Sequence, residues 1–194
     1  LGTCRLAYVT PSHQYPTGVT LSLARRLELL AWAERHDAWV IEDDYDDEYR
    51  YRGVPLAPLA TLDRSGRVLY VGTFCKIAFP ALRLGYLVLP PELVEPFAQR
   101  RALDMRHSEI GSQAVMAEFI AAGHFQRHVR RMREAARMRR DALLQGWPQV
   151  PGCAPLPAVE AGLHLSVRVE SLQRETELVA AALGDLCAEL VLVG

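Results

Sequence analysis

The sequence predicts an α/β protein built on a largely parallel sheet flanked by helices, and three observations carry that prediction. Short apolar runs of strand length recur before residue 90: "RLAYV" (5–9), "AWVI" (38–41), "VLYVG" (68–72) and "LGYLVL" (84–89). The stretch between the first two has helical period, and the chain after residue 91 turns helical again. Strands that alternate with helices imply a parallel sheet covered on both faces.

Each element follows in order. "RLAYV" fits a buried strand, and "PSHQYPTG" after it is dense in turn formers. From Thr20 a helix is expected, with Leu23, Leu27 and Leu30 sharing a face at i, i+4, i+7 and with Arg25, Arg26 and Glu28 pointing elsewhere. "AWVI" reads as a buried strand that ends in the acidic run "EDDYDDE". Candidate helices follow at 91–103, 109–122 and 124–144, then a Pro/Gly-rich break, "GWPQVPGCAPLP". "LHLSVRV" alternates as a half-buried strand, 173–186 reads as a helix, and "ELVLVG" reads as a strand. Residues 1–125 are expected to form the later part of a large domain. Residues 126–194 supply a long linking helix and the start of a smaller α+β domain, so the chain reads as a fragment.

Composition bounds the function classes. The 194 residues are half hydrophobic with a formal net charge of −1, which gives no global pull toward nucleic acid or membrane. No apolar run approaches the roughly 20 residues needed to span a bilayer. The four cysteines, Cys4, Cys75, Cys153 and Cys187, are too dispersed for a zinc knuckle or a redox pair, which makes a reducing cytoplasmic setting the default. His107, His124 and His128 show no metal-ligand pattern. The Arg-rich "RHVRRMREAARMRRDALL" carries an apolar stripe of Val129, Met132, Ala136 and Leu143, so its arginines read as the solvated face of an amphipathic helix.

Lys76 is the chain's only lysine, among many arginines. Arginine stays protonated and cannot act as an amine nucleophile, so a lone lysine marks a position that requires one. A lysine at a strand end beside apolar groups suits Schiff-base chemistry, because desolvation frees its lone pair. Pyridoxal 5'-phosphate also needs a carboxylate for the pyridinium proton, a donor near the phenolic oxygen, and contacts to the phosphate. Asp43, Tyr45, and Thr73 with Arg83 are the candidates. In a parallel sheet, segments that begin where strands end converge beyond the carboxyl edge, which places "EDDY" and "GTFCK" at one pocket. The competing reading makes Lys76 a solvated surface charge and the acidic run an exposed turn.

Four motifs in one order, "VTPSHQYPTG", "VIEDDYDDEYRY", "YVGTFCKIAFPALRLGYLVLP" and "GHFQRHVRRMR", resemble the fold-type I pyridoxal-phosphate enzymes. Within that group they resemble most the aminotransferase-like effector domain of MocR-type regulators of the GntR superfamily. The resemblance implies that Lys76 forms an internal aldimine, Asp43 pairs with the pyridine nitrogen, Tyr45 lies near the phenolic oxygen, and Thr73 and Arg83 contact the phosphate. Tyr15 stands where aminotransferases carry the asparagine of "NPTG", a replacement typical of the regulators. Cys75 replaces a common serine, and Arg168 sits too early to be the arginine that receives a substrate carboxylate. The family further implies a homodimer, a small amino compound as effector or substrate, and DNA contact through a helix-turn-helix domain outside this chain. The alternatives are a plain aminotransferase and a fold remnant that has lost cofactor binding.

Overall fold

The computed structural model describes residues 4–53, 56–106, 109–147 and 152–185. Four strands form one sheet in sequential order: β1 (Leu6–Val9), β2 (Trp39–Asp44), β3 (Val68–Thr73) and β4 (Gly85–Val88). β1 and β2 pair in parallel with Tyr8 opposite Ile41, and β2 and β3 in parallel with Asp43 opposite Val71. β4 runs antiparallel to β3, with Thr73 opposite Gly85. The sheet is therefore mixed, with two of its three pairings parallel.

Helix α1 (Leu23–Arg35) connects β1 to β2; Ser22 caps its start by accepting from the Arg25 N–H at 3.4 Å. Its covered face differs from the expected leucine stripe. Arg26, Leu30 and Ala33 are buried, whereas Leu23 and Leu27 remain about half exposed. The reason is polar. The Arg26 guanidinium satisfies three main-chain carbonyls, those of Leu21 (2.9 Å), Ala57 (3.1 Å) and Pro11 (2.8 Å). It thereby ties the start of α1 to the loop after β1. Leu30 and Ala33 join Val40, Leu59 and Val68 in the apolar core between α1 and the sheet.

β2 continues through the first residues of the acidic run instead of ending before it. Glu42 is fully buried yet bonded: its two carboxylate oxygens accept the N–H groups of Leu59 (2.8 Å) and Ala60 (2.9 Å), and Arg26 lies 3.9 Å away. Those amides open the short helix α2 (Leu59–Leu62), whose unpaired N–H groups suit a carboxylate.

After β4 come α3 (Pro91–Met105), α4 (Gly111–Ala121) and the long α5 (His124–Gly146). Pro91 occupies the first position of α3, where its missing N–H costs nothing. α5 reaches back to the site loops: Arg133 Nε donates to the Glu48 carbonyl at 2.6 Å, and His128 Nε2 lies 2.8 Å from the Ile77 carbonyl. The expected strand at "LHLSVRV" is not an extended ladder. Among the described residues, the surrounding segment makes isolated bridges, Arg50 with Ala161 and Cys153 with Val169. Helix α6 (Leu172–Asp185) ends the described chain, and the expected strand "ELVLVG" lies outside the described residues.

Candidate functional site

The carboxyl ends of the three parallel strands open onto one cavity of about 850 Å³, with Asp43, Tyr45, Lys76 and Tyr15 on its wall. Each arrives by a different local route. Asp43 is the fifth residue of β2, and Tyr45 follows that strand directly. Lys76 lies three residues beyond β3, in a turn closed by the Ala78 N–H on the Phe74 carbonyl (2.8 Å). Two side chains fix that turn from below: Tyr49 donates to the Lys76 carbonyl at 3.0 Å, and His128 bonds the next carbonyl, that of the buried Ile77. The lysine backbone is thus held while its side chain stays exposed at the cavity, rather than desolvated as the sequence led us to expect.

Tyr45 donates to the His13 carbonyl at 2.8 Å, and burial raises its pKa above the usual phenol range. Its hydroxyl is thereby tied to the "HQYPTG" loop, and its ring stacks on His164 at 6.4 Å between centroids. Tyr15, at the tip of that loop, is about half exposed and precedes a cis peptide to Pro16. Thr73 and Arg83 do not line the cavity. The Thr73 hydroxyl accepts from the Cys75 N–H at 3.1 Å and so shapes the lysine turn, while Arg83 ends the 3-10 turn Pro80–Leu82 in the left-handed region, φ +48°.

Three residues on this wall had no role in the sequence reading. Tyr8 of β1 bonds through its hydroxyl to Asp43 Oδ2. Leu163 and His164 come from far along the chain, and both line the cavity. Asp46 places them. Its Oδ2 accepts from the Leu163 N–H (3.2 Å) and lies 2.9 Å from His13 Nδ1, with both side chains buried. The His164 ring lies tilted against His13 at 4.2 Å between centroids and meets Tyr15 edge-on at 5.2 Å. Burial, reinforced by the neighbouring His13, lowers the His164 pKa, and its buried Nε2 makes no hydrogen bond of good geometry. His13, Asp46 and His164 bring ligand-type atoms within 4.8 Å of one another. Asp46 Oδ2 already accepts from the Leu163 N–H and bonds His13 Nδ1. The cluster joins two chain segments.

Behind the cavity the acidic run is buried in alternation. Asp44 is pushed up to about 7, first by burial and then by the charge of Asp47; its Oδ2 accepts from Tyr70 at 3.1 Å and its buried Oδ1 has no partner. Asp43, one residue earlier, faces the cavity, and its Oδ1 has no hydrogen-bond partner among the described residues. The strand's two-residue period therefore separates a cavity carboxylate from a buried carboxyl.

Comparison with known proteins speaks to the family and the fold. The HTH-type transcriptional regulator YhdI of Bacillus subtilis is 40% identical over 178 residues, 91% of this chain and 38% of that protein. The probable rhizopine catabolism regulatory protein MocR of Rhizobium meliloti is 49% identical over 129 residues, 66% of this chain and 26% of that protein. The chain thus spans between about a quarter and two fifths of the length of these relatives. Among solved structures, a kynurenine aminotransferase of Pyrococcus horikoshii, determined with PMP, superposes with a TM-score of 0.75 at 32% identity, covering 81% of this chain and 39% of the enzyme. The architecture is that of the fold-type I aminotransferases. Residues 8–183 match the family model for aminotransferase class I and II, and the chain belongs to that family.

Proposed function

We propose that the chain is the cofactor-binding, aminotransferase-like effector domain of a MocR/GntR-type transcriptional regulator, and that it holds pyridoxal 5'-phosphate at Lys76. The observation that carries this reading is the convergence of Lys76, Asp43 and Tyr45 on one cavity at the strand ends. The donor set fits the cofactor: an exposed amine, a carboxylate with one oxygen uncommitted, and a phenol at the wall. When bound, pyridoxal phosphate would supply an electrophilic aldehyde, and Lys76 would supply the amine that reacts with it. Asp43 holds the proton on the ring nitrogen. Tyr45 flanks the phenolic oxygen; the phosphate end, which the resemblance gives to Thr73 and Arg83, lies beyond the residues that line this cavity. Tyr15, at the tip of its loop, leaves the cavity without the amide that an asparagine would supply.

Relatives named as HTH-type regulators, among them YhdI and TauR, support the regulatory role. DNA is contacted by a helix-turn-helix outside these residues, and the protein works as a cytoplasmic homodimer. A small amino compound binding at Lys76 shifts the arrangement of the domains by its differential affinity for two arrangements. No helix among the described residues is long and apolar enough to cross a membrane. A second reading, aminotransferase catalysis with Lys76 as the general acid/base, draws on the likeness to the aromatic-amino-acid aminotransferase 1 of Thermococcus litoralis, 32% identical over 142 residues.

The test is absorbance with added pyridoxal phosphate, followed by borohydride. A band that borohydride fixes to the unmodified chain, and that Lys76→Ala abolishes, supports the reading. Its absence, in this chain and in one extended at both ends, overturns it. Turnover of an amino donor with a 2-oxo acid distinguishes the enzyme from the regulator.

A further inference from the structure

Tyr8 belongs to no motif that pointed to the site, yet its hydroxyl bonds Asp43 Oδ2 and its ring lines the cavity that holds Lys76. The sheet makes this contact possible. Tyr8 pairs with Ile41, and Ile41 and Asp43 lie two apart on β2, so all three side chains stand on one face. A tyrosine ring spans the one diagonal step from Tyr8 to Asp43. Packing does not impose the contact, because Tyr8 is 62% exposed.

Resting on the cofactor reading above, we propose that Tyr8 is a positioning residue for Asp43: it holds one carboxylate oxygen in place and so presents the other to the ring nitrogen of pyridoxal phosphate. Asp43 has no other hydrogen-bond donor among the described residues. Without Tyr8, the carboxylate rotates freely about its terminal torsion, which has only broad, shallow wells. The donor is also a durable one. The bond to Asp43, then burial, then the charge of Asp43 push the phenol up to about 12, so Tyr8 keeps its proton across the physiological range. Tyr8 and Tyr45 then divide the work of the two tyrosines at the strand ends. Tyr8 orients the carboxylate, whereas Tyr45 is committed to the His13 carbonyl.

The test is a double-mutant cycle on pyridoxal phosphate binding, read by equilibrium absorbance titration. Tyr8→Phe, which keeps the ring, is expected to weaken binding about tenfold in the unmodified background, and less than twofold in an Asp43→Asn background. A Tyr8→Phe effect of equal size in both backgrounds, or none in the first, overturns the inference while leaving the cofactor reading intact. A second arm needs no cofactor. With tyrosine labelled at Cζ, the NMR titration of Tyr8 should have a midpoint near 12 and fall toward 10 in Asp43→Asn; a midpoint that does not move shows that the contact is absent. If the unmodified chain and a chain extended at both ends take up no cofactor, both readings fail together.

Discussion

The Tyr45 hydroxyl donates to the main-chain carbonyl of His13 at 2.8 Å, across 32 residues of sequence. The phenol therefore anchors the "HQYPTG" loop to the end of β2, in addition to flanking the cavity. Tyr45→Phe removes the donor and leaves that carbonyl unpaired. Its expected cost is about 1 kcal/mol, read from the midpoint of urea unfolding at constant slope.

The fully buried Arg26 serves three carbonyls and lies 3.9 Å from the equally buried Glu42. Arg26→Ala strands the carboxylate and removes the side-chain donor from the Leu21 and Ala57 carbonyls, while Pro11 keeps the Leu21 N–H, at an expected cost of about 3–5 kcal/mol. Arg26→Lys recovers only part of it, because an ammonium lacks the planar fork that reaches three directions. Unfolding curves of the two variants side by side check the ranking.

Asp44 sets a pH dependence with a definite sign. Folded Asp44 keeps its proton up to about pH 7, whereas an unfolded aspartate releases it near 3.8. The folded state binds more protons over that window, so the stability this group contributes is complete below about pH 4 and lost as the pH rises to 7. The loss is on the order of 4 kcal/mol for a shift of about three units. Asp44→Asn is expected to raise the unfolding midpoint at pH 8, leave it nearly unchanged at pH 4, and flatten the profile between. A profile as steep as that of the unmodified chain would assign the effect to other carboxylates.

Gly162 has φ +85°, and a β-carbon there would lie inside the van der Waals shell of His13 Cε1. Gly123, at φ +70°, has open space around the same position. Alanine at 123 should cost about 1–2 kcal/mol for its backbone conformation alone. Alanine at 162 adds an overpacking cost of about 1–3 kcal/mol. Thermal unfolding of both variants separates the conformational cost from the steric one.

How much of this was legible depended on the range over which each residue acts. The four strands follow from local apolar runs, and Lys76, Asp43 and Tyr45 from motifs whose spacing is local; the structure sets those three on one cavity. The burial of Glu42 left no local trace, since it depends on Arg26 and on amides 17 and 18 residues away. The same cause misdirected the reading of α1, whose buried face is organised around a charged residue that hydrophobic periodicity counts as outward. Tyr8, Leu163 and His164 escaped notice because Tyr8 meets Asp43 across a strand pairing, and Leu163 reaches Asp46 across 117 residues. "LHLSVRV" alternates in sequence, but among the described residues it makes bridges rather than a ladder, since alternation alone does not supply a partner strand.

The seam between residues 45–51 and 160–164 governs when, as well as where, the cavity exists. Tyr51 N–H donates to the Glu160 carbonyl at 2.8 Å, Gly162 N–H to the Tyr49 carbonyl at 2.9 Å, and the Tyr51 hydroxyl to the Gly162 carbonyl at 2.9 Å. Each closes a loop of more than 100 residues, among the most costly contacts in entropy and the last that a growing chain can make. On the ribosome, β1 to β4 can pair as soon as residue 88 has emerged, but His164 cannot reach His13 until some 75 residues later. The sheet that carries Lys76 can therefore form before the wall that shapes the pocket. A nascent chain caught between those two moments displays its amine on an open shelf.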